Sequence, residues 1–206
     1  MMKVRAYILV VLILLVVPIM AQGEDESAPN REYQVKAAFL YNFINFVDWP
    51  NEKVADSNDT VTIGIIGSNP FGEAFEAVKD KKIKGKKLVI KQFPGFEEYK
   101  TKAKDKAKYR EEYEAEYKNV LKKCHIVFIS SLEEKHLEEI LNLVKNSDVL
   151  TVGESEAFLN SGGAINFVME QKKVRFEINL TAANRTKLKI RSQLLRLAKR
   201  VVGETS

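Results

Sequence analysis

The side chains with the widest chemical reach in this chain are also its scarcest: two histidines, His125 and His136, and a single cysteine, Cys124. A zinc site of the usual kind needs three or four clustered ligands, mostly histidine and cysteine, and this set is too small and too scattered to build one. A serine, histidine and acid triad would have to recruit one of the two histidines. His125 opens the apolar run Ile126 to Ile129, His136 stands among Glu133, Glu134, Glu138 and Glu139, and neither lies near a Gly-x-Ser-x-Gly elbow. No catalytic residue, metal site or cofactor is therefore expected. Cys124 has no partner for an intrachain disulfide; it reads as a small buried hydrophobe, with an intermolecular disulfide or a reactive thiol as the alternative.

Backbone amides and carboxylates are the other sources of chemistry. The loop from Gly64 through Gly67-Ser68-Asn69-Pro70 to Gly72 falls between a predicted strand and a predicted helix, where amides can hold an anion. Its glycine spacing is not Gly-x-Gly-x-x-Gly and it lacks a P-loop lysine, so a turn is expected, with a weak anion or small-ligand site as the alternative. Glu154 and Glu156, beside Gly153 and followed by Gly162-Gly163, could line a cleft, although solvated loop positions are the plainer reading. Asn58, Asn179 and Asn184 open Asn-x-Thr triplets, which matter only in a eukaryotic secretory route.

The elements that position these residues follow from periodicity. Val35, Phe39, Phe43, Phe46 and Val47 recur at helical intervals over Arg31 to Val47, ending near Asp48 because Pro50 disfavours helical geometry at Trp49. Trp49 is expected to plug the helix end onto the core. Val61 to Ile66, Leu88 to Phe93, His125 to Ser130 and Val149 to Val152 read as strands, with helical patterns over Phe71 to Val78 and Leu132 to Val144. Ala164 to Met169 and Val174 to Leu180 are close enough for an antiparallel hairpin. From Thr181 to Arg200 the chain reads as helical with a break near Leu188 to Arg191, Ser192 as an N-cap, and a buried face of Leu194, Leu195, Leu197, Ala198 and Val201. The fold class expected is α/β: a layered sandwich with a mixed, mainly parallel sheet, helices on both faces, and a C-terminal hairpin plus helix.

Between Glu97 and Lys123 lysine, glutamate and tyrosine dominate, and Lys108 with Glu112 and Arg110 with Glu114 have i,i+4 spacing. This predicts a charged helical insertion over about 97–118, with Tyr113, Tyr117, Val120, Leu121 and Cys124 on one face. The plain reading is an exposed connection docked by its final turns; the alternative is a protruding partner-binding helix.

Lys3 and Arg5 precede an uncharged run from Ala6 to Val17 that closes through Pro18 to Ala21, the three parts of a secretory signal peptide. The run is short for a membrane span. The expected organisation is a signal peptide over 1–21, a flexible lead over 22–30 and one domain over 31–202, exported as a soluble periplasmic protein. Loss of the leader's two cations lowers the formal net charge from +5 to +3, which gives no reason to expect a nucleic-acid partner.

Several segments, taken in order, resemble the YfiR-like family: Tyr33-Gln-Val-Lys36 through Phe43 to Trp49-Pro50, Ile65 to Phe71, Cys124 to Ser130, Thr151-Val-Gly-Glu154 with Phe158 and Gly162-Gly163-Ala-Ile-Asn-Phe167, Val174 to Asn179, and Ser192 to Ala198. The resemblance implies a non-enzymatic bacterial periplasmic regulator that contacts the periplasmic domain of an inner-membrane signalling protein. In the family that partner is a diguanylate cyclase, so cyclic di-GMP and biofilm formation are the outputs implied; a histidine kinase is a further candidate, and a homodimer is an open possibility. Disulfide control belongs to the family but has no second cysteine here. The charged stretch is also longer than the family's usual connection. Small-ligand binding near the Arg-Phe-x-Ile-Asn strand is a further implication, with Arg175, Glu177 and Asn179 as the tentative residues. Period 2 sends Arg175 and Glu177 to one face and Phe176 and Ile178 to the other. Arg175 could present its fork to a small anionic or aromatic ligand, a salt bridge or solvated strand face being the alternative. Asn179 suits ordering of the strand-to-helix turn. A periplasmic small-ligand-binding or carrier protein is the rival class.

Overall fold

The computed structural model describes residues 28–50, 59–79, 81–105 and 110–203. The expected leader, the lead as far as residue 27, Asn58 and the Lys108–Glu112 pairing lie outside them. Helix α1 (Ala28–Phe46) starts within the expected lead and buries Lys36, Ala37, Leu40, Phe43 and Ile44. Val35, expected on that stripe, is 39% exposed because the buried face is centred one residue further on.

In chain order there follow β1 (Val47–Asp48), β2 (Thr60–Ile66), β3 (Lys82–Ile83), β4 (Lys86–Phe93), α2 (Phe96–Asp105), α3 (Arg110–Lys122) and β5 (Ile126–Ile129). A 3-10 turn (Ser131–His136) then leads into α4 (Leu137–Leu143), β6 (Leu150–Gly153), β7 (Ile165–Glu170), β8 (Lys173–Asn179), α5 (Leu180–Asn184), β9 (Lys189–Ile190), α6 (Ser192–Leu197) and β10 (Arg200–Val202). Eight strands make one sheet in the order β10-β8-β7-β6-β5-β2-β4-β3, antiparallel only at β3–β4 and β7–β8. The mixed, mainly parallel sheet is thus present, with β1 and β9 pairing separately. Both antiparallel links are two-residue turns, Lys84-Gly85 and Gln171-Lys172, with positive φ throughout. That geometry matches the twist of the flanking strands.

Central strands β2, β5 and β6 are buried on both faces, as parallel strands between helices must be. Ile63, Ile65, Phe128, Val152, Phe167 and Phe176 face α1, where Phe43 stacks on Phe167 and meets Phe176 edge-on. Ile66, Val127 and Ile129 face the other way, under Tyr117, Leu121 and Cys124 of the α3 end and Leu137 and Ile140 of α4. Trp49 joins the first cluster, edge-on to buried His125, whose Nδ1 accepts the Thr62 N–H at 3.3 Å.

Three helical expectations change. Phe71, Ala74, Phe75 and Val78 are buried at helical spacing, yet the segment is a series of turns; Gly72 takes φ +48° and most bonds close over three residues. The charged stretch forms two helices, α2 and α3, joined by a stack of Tyr99 on Tyr117 at 4.3 Å. Tyr117, Leu121 and Cys124 do dock on the sheet. Finally, the last helix stops at Leu197, because Ala198 is extended and Arg200–Val202 pairs with β8. Leu197 and Val201 are exposed, only Leu194 of that face is fully buried, and the N-cap is Arg191 without a side-chain bond, not Ser192.

Candidate functional site

Strands β5 and β6 lie parallel with Ile129 opposite Gly153, so the residues that follow them emerge together at one edge of the sheet. Glu154 is the first residue beyond β6. Lys36 Nζ of α1 donates to its Oε2 at 2.6 Å, the Tyr33 hydroxyl donates to its two oxygens at 3.3 and 3.2 Å, and the Ser131 N–H and hydroxyl reach Oε1 at 3.3 Å. Lys36 also pairs with Glu32 at 2.5 Å, one helical turn back, and lies over the Tyr33 ring. The Lys36 and Glu154 side chains are each 5% exposed. Burial and then the Glu154 charge hold the Tyr33 phenol far above the ordinary tyrosine range, so it remains a donor.

This hub ties α1, the loop after β5 and the end of β6 to one carboxylate. With its cation shared between Glu32 and Glu154, Lys36 is not a free amine for nucleophilic work. Beside the hub lies a cleft of about 370 Å³, lined among others by Ser131, Ser155, Asn166 and Met169. Ser155 Oγ and Asn166 Oδ1 are buried there without a hydrogen-bond partner among the described residues. Such atoms are rare in folded proteins and suit a polar guest.

The glycines around these loops hold side chains rather than ligands. A Cβ on Gly153 or Gly163 would stand 2.2 or 2.1 Å from the Phe158 ring, so the two glycines clasp that ring. At the reversal of strand order between β2 and β5, where open α/β sheets hold ligands, Glu133 occupies the space. A Cβ on Gly67 or Gly95 would lie 2.5 or 2.3 Å from its Oε1, and its Oε2 accepts the Phe96 N–H at 3.0 Å. The Gly67 loop is therefore a turn closed by a carboxylate, an environment hostile to an anion.

Arg175, Glu177 and Asn179 do not converge. Arg175 is exposed, its one ion pair among the described residues being with Glu170 at 3.9 Å; Glu177 accepts from Arg200 Nη2 at 2.6 Å across the β8–β10 register. Asn179 caps α5, accepting the Ala182 N–H at 3.0 Å and donating to the Leu159 carbonyl at 3.0 Å. Period 2 does place Phe176 and Ile178 in the α1 core. Glu156 is exposed, as a solvated loop position should be, whereas Glu154 is not solvated. The sequence reading missed the hub; the signals that could have found it are a lysine one residue beyond Val35, on the stripe that α1 actually buries, and an acid at the very end of a buried strand. No group of three or more His, Cys, Asp or Glu among the described residues could hold a metal ion.

Lys36 and Glu154, from segments far apart in sequence, thus make one side-chain anchor on a mixed α/β sheet: the molecule is an α/β module whose polar hub fastens its first helix. Residues 33–199 match the family described as DUF4154, YfiR/HmsC-like, and the chain belongs to that family. No functionally curated protein matches the chain. Among solved structures it is similar to a conserved domain protein from Vibrio cholerae O1 biovar El Tor, at TM-score 0.51 and 9% identity over 82% of this chain and 60% of that one. An ABC domain in complex with L-Trp from Streptococcus pneumonia aligns at TM-score 0.47 and 13% identity, over 83% of this chain and 62% of its own. The chain thus spans about three-fifths of those proteins. At 9% identity the likeness to the Vibrio protein is one of fold alone. No helix among the described residues is long and apolar enough to cross a membrane.

Proposed function

We propose that this chain is a periplasmic regulator, exported by a cleaved leader over 1–21, whose domain over 31–202 controls an inner-membrane signalling protein by contact with that protein's periplasmic part. The observation that carries the reading is the family match across residues 33–199. A diguanylate cyclase is the partner favoured, a histidine kinase the next. Of the three tentative residues, Arg175 retains an exposed guanidinium, so we assign partner or ligand contact to Arg175 and structural work to Glu177 and Asn179. The test pairs binding of the mature chain to periplasmic domains of membrane cyclases and kinases from the same cell with cyclic di-GMP levels after gene deletion. Binding to one of them, weakened by Arg175→Ala, is expected; no binding to any, with cyclic di-GMP and kinase output unchanged, overturns the reading.

A periplasmic ligand-binding or carrier protein is the second reading. It is favoured by the unpaired Ser155 and Asn166 oxygens in the hub cleft. A metabolite held tightly by a chain whose deletion leaves signalling untouched would establish it instead.

A further inference from the structure

The opposite, amino end of β6 carries a second cleft, of about 240 Å³, between α4, α5 and the loop before β7. Its floor is buried and apolar: Val144, Val149, Ala164, Ala182, Ala183 and Leu188. Of the three hydroxyls that line it, those of Thr151 and Thr186 are already engaged, and Ser161 supplies the third. Thr151 Oγ1 accepts the Ala164 N–H at 3.0 Å, and Thr186 Oγ1 donates to the Ala183 carbonyl at 2.6 Å and accepts the Leu188 N–H at 3.2 Å. The floor therefore offers a guest apolar surface whose threonine hydroxyls make no further demand, while Ser161, Asn142 and Asn146 also line the cleft. Charge sits at the mouth, in Arg185, Lys145 and one opposing carboxylate, Glu138. A Cβ on Gly162 would lie 3.8 Å from Arg185 Nη1, so the guanidinium stands over that glycine at the rim. Neither cation has an ion pair with a described residue, whereas Asp148, nearby, already accepts the Lys187 N–H.

We propose that this cleft binds a small organic monocarboxylate, with its apolar body on the alanine, valine and leucine floor and its carboxylate on Arg185, supported by Lys145. An apolar pocket with a few convergent polar groups is the ordinary form of a small-molecule site, and this volume lies below the roughly 300–1,000 Å³ of drug-sized ones. Two cations set against Glu138 leave a single net positive charge, which suits a monoanion better than a phosphate. The planar fork of Arg185 matches a carboxylate. The site is distinct from the hub cleft and stands independently of any protein partner.

Titration of the isotope-labelled mature chain with hexanoate and benzoate, followed through the amides of Gly162, Ala182 and Ala183, tests it. Saturable shifts at these amides are expected for at least one acid. Arg185→Gln should weaken that binding about tenfold, roughly 1.4 kcal/mol, without changing the melting temperature, and Leu141→Trp, at the cleft wall, should abolish it. The proposal is overturned if neither acid saturates by about 1 mM, the weak end of the affinity scale. Binding of 1-hexanol as tight as hexanoate, the same shifts from inorganic phosphate, or full affinity in Arg185→Gln would overturn it equally.

Discussion

The two ends of strand β6 use charge in opposite ways. At its carboxyl end Glu154 and Lys36 are each 5% exposed and fully engaged, with Tyr33 and Ser131 completing the acceptor's partners. At its amino end Arg185 and Lys145 are exposed at a cleft whose threonine hydroxyls are satisfied without them. The difference is solvent. An unpaired charge in the hub would have lost its hydration for nothing, so every member there must be matched, and the result is a clamp. An exposed cation keeps its water and can remain unmatched at little cost, so it stays available to something that arrives later.

The largest effect should come from breaking the clamp. Glu154→Ala strands the Lys36 ammonium with only Glu32, and Lys36→Met leaves a buried carboxylate; either should cost about 3–5 kcal/mol in urea unfolding. The double variant Lys36→Met, Glu154→Leu should recover most of that loss, because apolar replacements remove the desolvation penalty together with the attraction. Single losses below about 1 kcal/mol would mean that the pair behaves like a surface salt bridge and the contrast between the two ends is false.

Next in size is the glycine clasp. Gly163→Ala forces a methyl to within 2.1 Å of the Phe158 ring, and Gly153→Ala does the same from the other side. Overpacking of this kind should cost about 1–3 kcal/mol. Phe158→Leu introduced into either variant should return part of the stability, and an additive outcome in thermal unfolding would place the damage elsewhere.

Alkali tests burial at the closed end, through Tyr33, and beneath α3, through Tyr117. Burial raises the phenols of Tyr33 and Tyr117 above their ordinary value, with Glu154 and Glu133 adding to it. A raised folded pKa means that the unfolded chain loses these protons first, so their contribution is complete below about pH 10, the unfolded value, and is lost as pH rises above it. Phenolate absorbance should show these two titrating late, with unfolding. Tyr33→Phe removes one such step and should lower stability at neutral pH by about 1 kcal/mol, the worth of its hydrogen bond. Early, reversible titration of all tyrosines would show the hub open to solvent.

How much of this was legible depends on how far away the partner lies. The hairpin of β7 and β8 could be read because its alternation and its turn are local: Phe167 and Phe176 face each other in register. Over Phe71 to Val78 the expected helix is replaced by turns, because Gly72 adopts a left-handed conformation, although Phe71 and Phe75 are buried in the core. Leu197 and Val201 carried a helical spacing that the sheet overrode, since pairing of Arg200 to Val202 with β8 captures backbone groups that a helix would have used. The hub was not read: an expected stripe through Val35 left Lys36 off the buried face, and its partner Glu154 lies 118 residues away, brought near only by the parallel register of β5 and β6. Arg175 and Glu177 shared a face as expected, yet their separation in use came from a strand, β10, that helical spacing had disguised.

The smallest effects should fall on the exposed cations, and they decide whether exposure was read correctly. Among the described residues Arg175 has one ion pair, with Glu170 at 3.9 Å, and its side chain is exposed. Arg175→Ala and Arg185→Ala should each stay within about 0.5 kcal/mol of the parent chain. Phe43→Ala, which empties a fully buried position between Phe167 and Phe176, should cost about 3–5 kcal/mol in the same urea titration. The contrast holds because the ring's loss opens a cavity that the sheet cannot collapse to fill, while the arginines' loss is repaired by water. If Arg175→Ala approached the Phe43→Ala loss, its guanidinium would be a structural strut between the hairpin strands, and a role in partner or ligand contact would have to pass to another residue.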